Sequence, residues 1–218
     1  MLGRPLRIVL FASGRGSNAR AILETARKYL DQLEVVAIVT NRSDAGVLTV
    51  EEEFGIPSHV ILFRQDVPNP RLEHESRIHM VLSQYPWDYL VLAGYMRILT
   101  SDFVGRYPHP EWPVSRILNI HPSMLPDFKG TTAYEDAFDA AVLSSGITVH
   151  FVSPAVDDGL ILAQESFARK PEDTLDIFRT RGLAVEHRLY SRVLLDLAMG
   201  RYRTEFNPFS IQIVSNSG

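Results

Sequence analysis

The feature that most constrains this chain is an alternation of short, continuous apolar runs with longer stretches of helical periodicity. Leu6 to Ala12 (LRIVLFA) is a short apolar run interrupted only by Arg7, the mark of a strand covered on both faces, as in parallel sheets. A glycine turn follows, and Asn18 to Leu30 then places Ala19, Ile22, Leu23, Ala26 and Leu30 at helical spacing before a second strand-like run, Glu34 to Thr40. The βαβ pattern repeats with helix Ala45 to Phe54, strand His59 to Leu62, helix Arg71 to Gln84 and strand Tyr89 to Ala93. A short helix, Ser101 to Tyr107, and a fifth strand, Arg116 to Ile120, come next, and Pro122 and Pro126 break the chain into a loop. Helix Ala133 to Leu143, strands Ile147 to Val152 and Leu160 to Phe167, and helix Thr174 to Met199 complete the pattern. The tail NPFSIQIVSNSG reads as a loosely held end. The expectation is an α/β fold with a doubly wound, mostly parallel, Rossmann-like sheet. It forms one domain over residues 1–218, with a core from about 6 to 200.

Composition narrows the function classes. A formal charge of -4, with Lys and Arg scattered rather than clustered, leaves no footprint for a phosphate backbone, so nucleic acid is not an expected partner. No apolar run approaches the roughly 20 residues that span a bilayer, and the N-terminus runs straight into a strand pattern. A cytoplasmic protein with no membrane partner is expected. With no cysteine, catalysis must come from His, Asp, Glu, Asn, Ser or Lys.

Three segments carry chemistry. SGRGSN (Ser13 to Asn18) links the first strand to the first helix, where an open α/β sheet offers backbone N–H groups and a helix N-terminus to an anion. Gly14 and Gly16 allow close approach, and Ser17 and Asn18 add donors and can cap the helix. The same residues also suit a plain capped turn. The turn fits neither a dinucleotide GxGxxG nor a Walker A loop, which disfavours a nicotinamide dinucleotide or ATP. NIHPS ends the fifth strand and puts Asn119 and His121 on one face at the sheet's C-terminal edge. An amide beside an imidazole suits acyl transfer, one stabilising an oxyanion and the other moving a proton or adding charge. A histidine satisfied by backbone carbonyls is the alternative. VDDG (Val156 to Gly159) lies between two strands, where Asp157 could orient His121 or merely form a turn, and Asp158 beside Gly159 reads as a turn former. Of the other histidines, His59, His109 and His187 carry no assignment; His74 and His79 read as solvated positions on a charged helix, and His150 alternates within a strand. None forms a metal-type cluster, and no metal is expected.

Taken in order, SGRGSN after the first strand, LAGYMRIL (Leu92 to Leu99), LNIHPSMLP (Leu118 to Pro126) and ITVHFV followed by DDG resemble the glycinamide ribonucleotide formyltransferases of purine synthesis over roughly residues 6 to 200. The resemblance implies Asn119, His121 and Asp157 as catalytic residues. It implies Gly16, Ser17 and Asn18 as the phosphate cradle, and Glu186 as a contact to the ribose. Met96, Arg97, Ile98 and Leu99 would hold the pterin of 10-formyltetrahydrofolate through backbone groups and apolar contact. Ser153, Pro154, Ala155 and Val156 would fold over that pterin, with Arg71 near the folate tail. The chain departs from the family at Gly130-Thr131-Thr132, where Thr132 replaces a family His, and at DDG, where DGG is common. The segment PHPEWPVS before the fifth strand has no assigned role.

The implied reaction is direct attack of the substrate amine of 5-phosphoribosylglycinamide (GAR) on the formyl carbon, by a monomer or homodimer binding small molecules only. A formyltetrahydrofolate deformylase is the rival reading, disfavoured because water brings no phosphate for SGRGSN to hold and no regulatory segment precedes the first strand. A formyltransferase acting on initiator tRNA would need a longer, more basic chain. A non-catalytic nucleotide-binding module would have no use for Asn119, His121 and Asp157 together.

Overall fold

The computed structural model describes residues 3–207 and 210–215. Fifteen elements follow in order: β1 (Leu6–Phe11), α1 (Ser17–Lys28), β2 (Leu33–Thr40), α2 (Val47–Phe54), β3 (Ser58–Val60), α3 (Pro70–Leu82), β4 (Tyr89–Leu92), α4 (Ser101–Gly105), β5 (Ile117–His121), α5 (Ala133–Asp139), β6 (Ser144–Phe151), β7 (Ile161–Ala168), α6 (Leu175–Ala198), β8 (Tyr202–Asn207) and β9 (Ser210–Ser215). Seven strands form one sheet in the order β3-β2-β1-β4-β5-β6-β7. Strands β1 to β5 run parallel, β6 runs against them and β7 returns to their direction, so the expected mostly parallel doubly wound sheet is observed.

Strand β1 shows why the apolar run had to be continuous. Leu6, Ile8 and Leu10 join a core with α1, α2, α5 and α6, while Val9 and Phe11 join a second core with α3 and α4 on the other face. Every residue from Ile8 to Phe11 is fully buried. Each such side chain contributes roughly 1.5–3 kcal/mol on burial, so replacing one by a charge would cost most of a small domain's net stability. After β1 the chain builds outward to β2 and β3, then returns to the other side of β1 as β4. The loops leaving β1 and β4 therefore diverge at the strands' C-terminal ends, where open α/β sheets hold ligands.

The structure departs from the sequence pattern in several places. Helix α5 stops at Asp139, with Ala141 in the left-handed region at φ 52°, and β6 begins early, at Ser144. Gly146 near that start packs closely on β7, where a Cβ would lie 2.9 Å from the Glu165 carbonyl oxygen. The tail read as loose forms a hairpin instead, β8 pairing antiparallel with β9 from Tyr202↔Ser215 to Asn207↔Ser210. SIQIV alternates apolar and polar residues, a strand signal strong enough to direct that pairing. The rest of the tail, Pro208, Phe209 and residues 216–218, lies outside the described residues. No helix among the described residues is long and apolar enough to cross a membrane.

PHPEWPVS folds as a packed loop closed by a bridge between Pro108 and Ser115. His109 stacks on Trp112 with ring centroids 4.4 Å apart, accepts the backbone N–H groups of Glu111 and Trp112 at Nδ1, and meets the Tyr89 hydroxyl at Nε2, 2.7 Å away. Trp112 and His109 both present edges to Phe151. The segment thus covers the flank of β4 and β6, and its role is packing.

Candidate active site

Alternation along β5 aims its polar residues. Leu118 and Ile120 enter the core shared with α6, so Asn119 and His121 face the opposite side, toward the crevice. Strand β6 does the same: Ile147, Val149 and Phe151 join that core, leaving Thr148 and His150 on the crevice side. The antiparallel register pairs Asn119 with His150 and His121 with Thr148. Two elements that look unrelated in sequence therefore supply one polar surface.

Asp157 reaches that surface from the loop between β6 and β7. Its Oδ2 lies 3.4 Å from His121 Nδ1 and accepts the Gly130 N–H at 3.0 Å, and its Oδ1 lies 3.7 Å from His150 Nε2. The His121 ring also donates from Nε2 to the Phe128 carbonyl at 2.8 Å. Both ring nitrogens are thereby directed at fixed acceptors, which sets the imidazole's orientation. Asp157 is held with φ 50°, a backbone state that Asp tolerates better than most residues. Gly159 makes the return to β7 possible, because a Cβ there would sit 1.6 Å from the Phe151 carbonyl oxygen. Its neighbour Asp158 points outward to an exposed ion pair with Lys129 at 2.6 Å and behaves as the turn residue expected of it.

His150 is the site residue that pattern reasoning missed. Burial holds its basicity below the ordinary histidine value, the Phe151 carbonyl and Asp157 only partly opposing this. As a neutral ring donating from Nδ1 to the Phe151 carbonyl at 2.9 Å, it presents a lone pair at Nε2 to the Asn119 amide nitrogen, 3.3 Å away. That contact fixes which end of the Asn119 amide carries the donors facing the crevice. The signal was the alternation of ITVHFV, which is readable, but the strand it pairs with is not.

At the end of β1, Gly16 takes the left-handed conformation, φ 77°, and serves as the N-cap of α1. No side chain caps this helix, contrary to the expectation for Ser17 and Asn18. A Cβ on Gly16 would come within 2.9 Å of Val47, so glycine is required on grounds of both space and φ. The N–H groups of a helix's first turn have no intrahelical partner, and the exposed Ser17 leaves them open to an anion. Asn18 is buried and donates to Glu186 Oε2 at 2.6 Å, and Tyr134 donates to Glu186 Oε1 at 2.5 Å. Glu186 is only 6% exposed, so it belongs to the interior beside the glycine turn rather than to a solvated helix face.

The loop after β4 is tied to the glycine turn by Ser13. Its hydroxyl accepts the Met96 N–H at 2.8 Å and donates to Asn41 Oδ1 at 2.5 Å, while its own N–H donates to the Gly94 carbonyl at 3.0 Å. Met96 and Ile98 project into solvent, Leu99 is buried in the α3 and α4 core, and the Arg97 guanidinium lies 3.4 Å from the Phe63 ring centroid. Helix α3 closes the other side of this loop. Glu75 accepts both the backbone N–H and the hydroxyl of Thr100, and His74 Nε2 meets the Tyr95 hydroxyl at 2.8 Å. His74 is therefore buried, not solvated, and His79 is half-buried against the Tyr107 hydroxyl at 2.7 Å. Each imidazole has a phenol partner on the neighbouring element, which the charged residues around it in sequence concealed. Arg71 stands exposed at the start of α3, and Ser153 to Val156 form a turn in which the Ser153 hydroxyl donates to the Ala155 carbonyl. Among the described residues no three His, Asp or Glu side chains are grouped as metal ligands are. Grooves also open between α1 and α6 and beside Trp112, but neither contains any of the candidate residues.

With that geometry in place, the chain can be set beside known proteins. A model of the formyl transferase family matches residues 6–194. The chain is 33% identical over 201 residues to phosphoribosylglycinamide formyltransferase of Haemophilus influenzae, covering 92% of this chain and 91% of that protein. It is 35% identical over 197 residues to the trifunctional purine biosynthetic protein adenosine-3 of Bos taurus, and there it spans only 19% of the relative's length. In three dimensions it is similar to the phosphoribosylglycinamide formyltransferase of Coxiella burnetii, solved in complex with CHES, with a TM-score of 0.85 and 34% identity over 98% of this chain and 94% of that one.

Proposed function

Since the chain belongs to the formyl transferase family, we propose that it transfers the formyl group of 10-formyltetrahydrofolate to the amine of 5-phosphoribosylglycinamide, giving formyl-GAR and tetrahydrofolate in purine biosynthesis. The observation that carries this reading is the convergence of Asn119, His121 and Asp157 at the C-terminal end of β5, beside a glycine turn open to a phosphate. Relatives named for this reaction, matched along nearly their whole length, support the choice of substrates.

The chemistry follows from placement. GAR binds with its phosphate on the N–H groups of Gly16, Ser17 and Asn18 and its ribose near Glu186. The folate lies along Met96 to Leu99 under Ser153 to Val156, with its tail toward Arg71. The amine nitrogen attacks the formyl carbon, and the carbonyl electrons move onto oxygen. The Asn119 amide donates to that oxyanion, and the His121 ring joins it once its Nε2–H turns from the Phe128 carbonyl toward the developing charge. Asp157, or a water it holds, passes the amine proton to the folate nitrogen as the carbon–nitrogen bond to folate breaks. Holding both substrates in one cleft supplies much of the rate, and no side chain has to become a covalent nucleophile.

The test is formyltetrahydrofolate consumption with and without GAR. Consumption that depends on GAR is expected; consumption of equal rate without it identifies a hydrolase instead, and no consumption removes the enzymatic reading. Dialysis against a chelator leaves the GAR-dependent rate unchanged.

A further inference from the structure

Ser13 stands immediately before Gly14 and is buried, 3% exposed, although no step of the proposed chemistry uses its hydroxyl. Strand β1 lies between β2 and β4 in the sheet, and the loops that leave all three meet at this residue. The Ser13 oxygen accepts the Met96 N–H from the loop after β4 at 2.8 Å and donates to Asn41 Oδ1 from the loop after β2 at 2.5 Å. Its own N–H donates to the carbonyl of Gly94, whose φ of 82° turns the chain sharply out of β4. Backbone closes the β2 side. The Val47 N–H donates to the Gly14 carbonyl at 3.2 Å, and a Cβ on Gly46 would lie 3.0 Å from Arg15 Cα. A hydroxyl donates one proton while accepting another, which is the pairing this three-way junction requires.

We infer that Ser13 is a positioning residue that sets the gap between the two substrates. The inference rests on the proposed reaction, in which the glycine turn carries the phosphate of the amine substrate and Met96 to Leu99 carry the pterin. Those two surfaces leave different strands. Ser13 opens the first, and its hydroxyl holds the leading residue of the second. A nucleophile and an electrophile bound on separate loops react at a rate set by how those loops align them, and a displacement of about 1 Å can cost about a hundredfold. Each loop keeps its own support without the hydroxyl. Gly16 still makes the left-handed turn into α1, and Glu75 still holds the far end of the folate loop through the N–H and hydroxyl of Thr100. Losing the tie therefore costs alignment rather than affinity.

The experiment compares wild type, Ser13→Ala, Asn41→Ala and Asn41→Asp in steady-state turnover, with calorimetric binding of GAR alone and of tetrahydrofolate alone, and thermal melts to correct rates to folded enzyme. Ser13→Ala is expected to lower kcat about tenfold while each separate Kd changes less than about twofold. Asn41→Ala, which leaves the hydroxyl free to turn from Met96, should show the same split in weaker form. Asn41→Asp keeps an acceptor for the hydroxyl and should return kcat to within about twofold of wild type. Combined with Ser13→Ala, Asn41→Ala should slow the enzyme no further, since the two residues act as one unit. An unchanged kcat in Ser13→Ala, a loss confined to folate affinity, or an Asn41→Asp no better than Asn41→Ala would overturn the assignment. Should Ser13→Ala fail to fold, the two Asn41 variants decide it. Absence of GAR-dependent turnover in wild type sinks the proposed reaction as well, whereas normal wild-type transfer beside unaffected variants sinks this inference alone.

Discussion

Asn119 and His150 face each other across the β5–β6 ladder, the amide nitrogen of one 3.3 Å from the Nε2 of the other. Because His150 spends its ring proton on the Phe151 carbonyl, that Nε2 can only accept, and the Asn119 amide has a single satisfying orientation. An oxyanion donor works by being aimed before charge develops, so under the proposed mechanism His150 is a positioning residue that acts through Asn119.

The first prediction concerns the groups proposed to meet the oxyanion. Asn119→Ala and His121→Ala should each lower kcat by about 10²–10³-fold, the usual effect of losing one such donor. Both should fold, since Asn119 is part-exposed and Leu118 and Ile120 retain the strand's core contacts. Stopped or steady-state assays at saturating GAR and folate, with thermal melts alongside, decide the matter. Near-normal turnover by either folded variant removes that residue from the mechanism.

His150→Phe keeps the ring's bulk but removes the acceptor. The Asn119 amide then loses its fixed orientation, and kcat should fall about tenfold, less than for Asn119→Ala, because the donor survives unaimed. Added to Asn119→Ala, the same change should cost almost nothing further, since residues that act as a unit are not additive. Full additivity in this double-mutant cycle would show that His150 acts on something else.

These relationships mark where the sequence stops informing. Strands covered on both faces were readable, since LRIVLFA has no polar residue after Arg7 at its start. Asn119 and His121 were readable because a period of two puts them on one face. His150 was not, because its meaning depends on the β5–β6 register, and register is a property of two segments brought together by the fold. Tyr134, the second residue of α5, met its buried partner only when α6 placed Glu186 opposite it. The expected side-chain cap at Ser17 or Asn18 did not form because the N-cap position falls on Gly16, which enters the left-handed region and has no side chain to offer.

Gly159 is the backbone condition for the aspartate loop. Adding a methyl group places it 1.6 Å from the Phe151 carbonyl oxygen, so main chain must move, and Asp157 two residues earlier moves with it. Gly159→Ala should therefore lose on the order of 3 kcal/mol of stability, as overpacking does, and lose activity out of proportion to the folded fraction. Gly105→Ala is the control, since a Cβ there meets nothing within 4 Å. Urea melts showing equal stability for the two variants would contradict this account of the loop.

The last prediction is a pH dependence of stability. His150, His74 and His109 are all held below the ordinary histidine value, in each case chiefly by burial; Arg77 and Arg97 add to the effect at His74, and Arg116 at His109, where Glu111 opposes it. Unfolded, the three rings would titrate near about 6.5. Above that pH they are neutral in both states and their contribution is constant. As pH falls below it, the unfolded chain binds protons that the native state refuses, so stability drops progressively toward the lower native values. Thermal melts at pH 7.5, 6.5 and 5.5 should show a midpoint that falls through this window, well above the range where carboxylates titrate. His109→Gln removes one of the three rings at a position remote from the proposed chemistry, and its midpoint should fall less steeply over the same interval. A wild-type midpoint that stayed level or rose on acidification would mean that the buried rings accept protons in the folded state as readily as in the unfolded one.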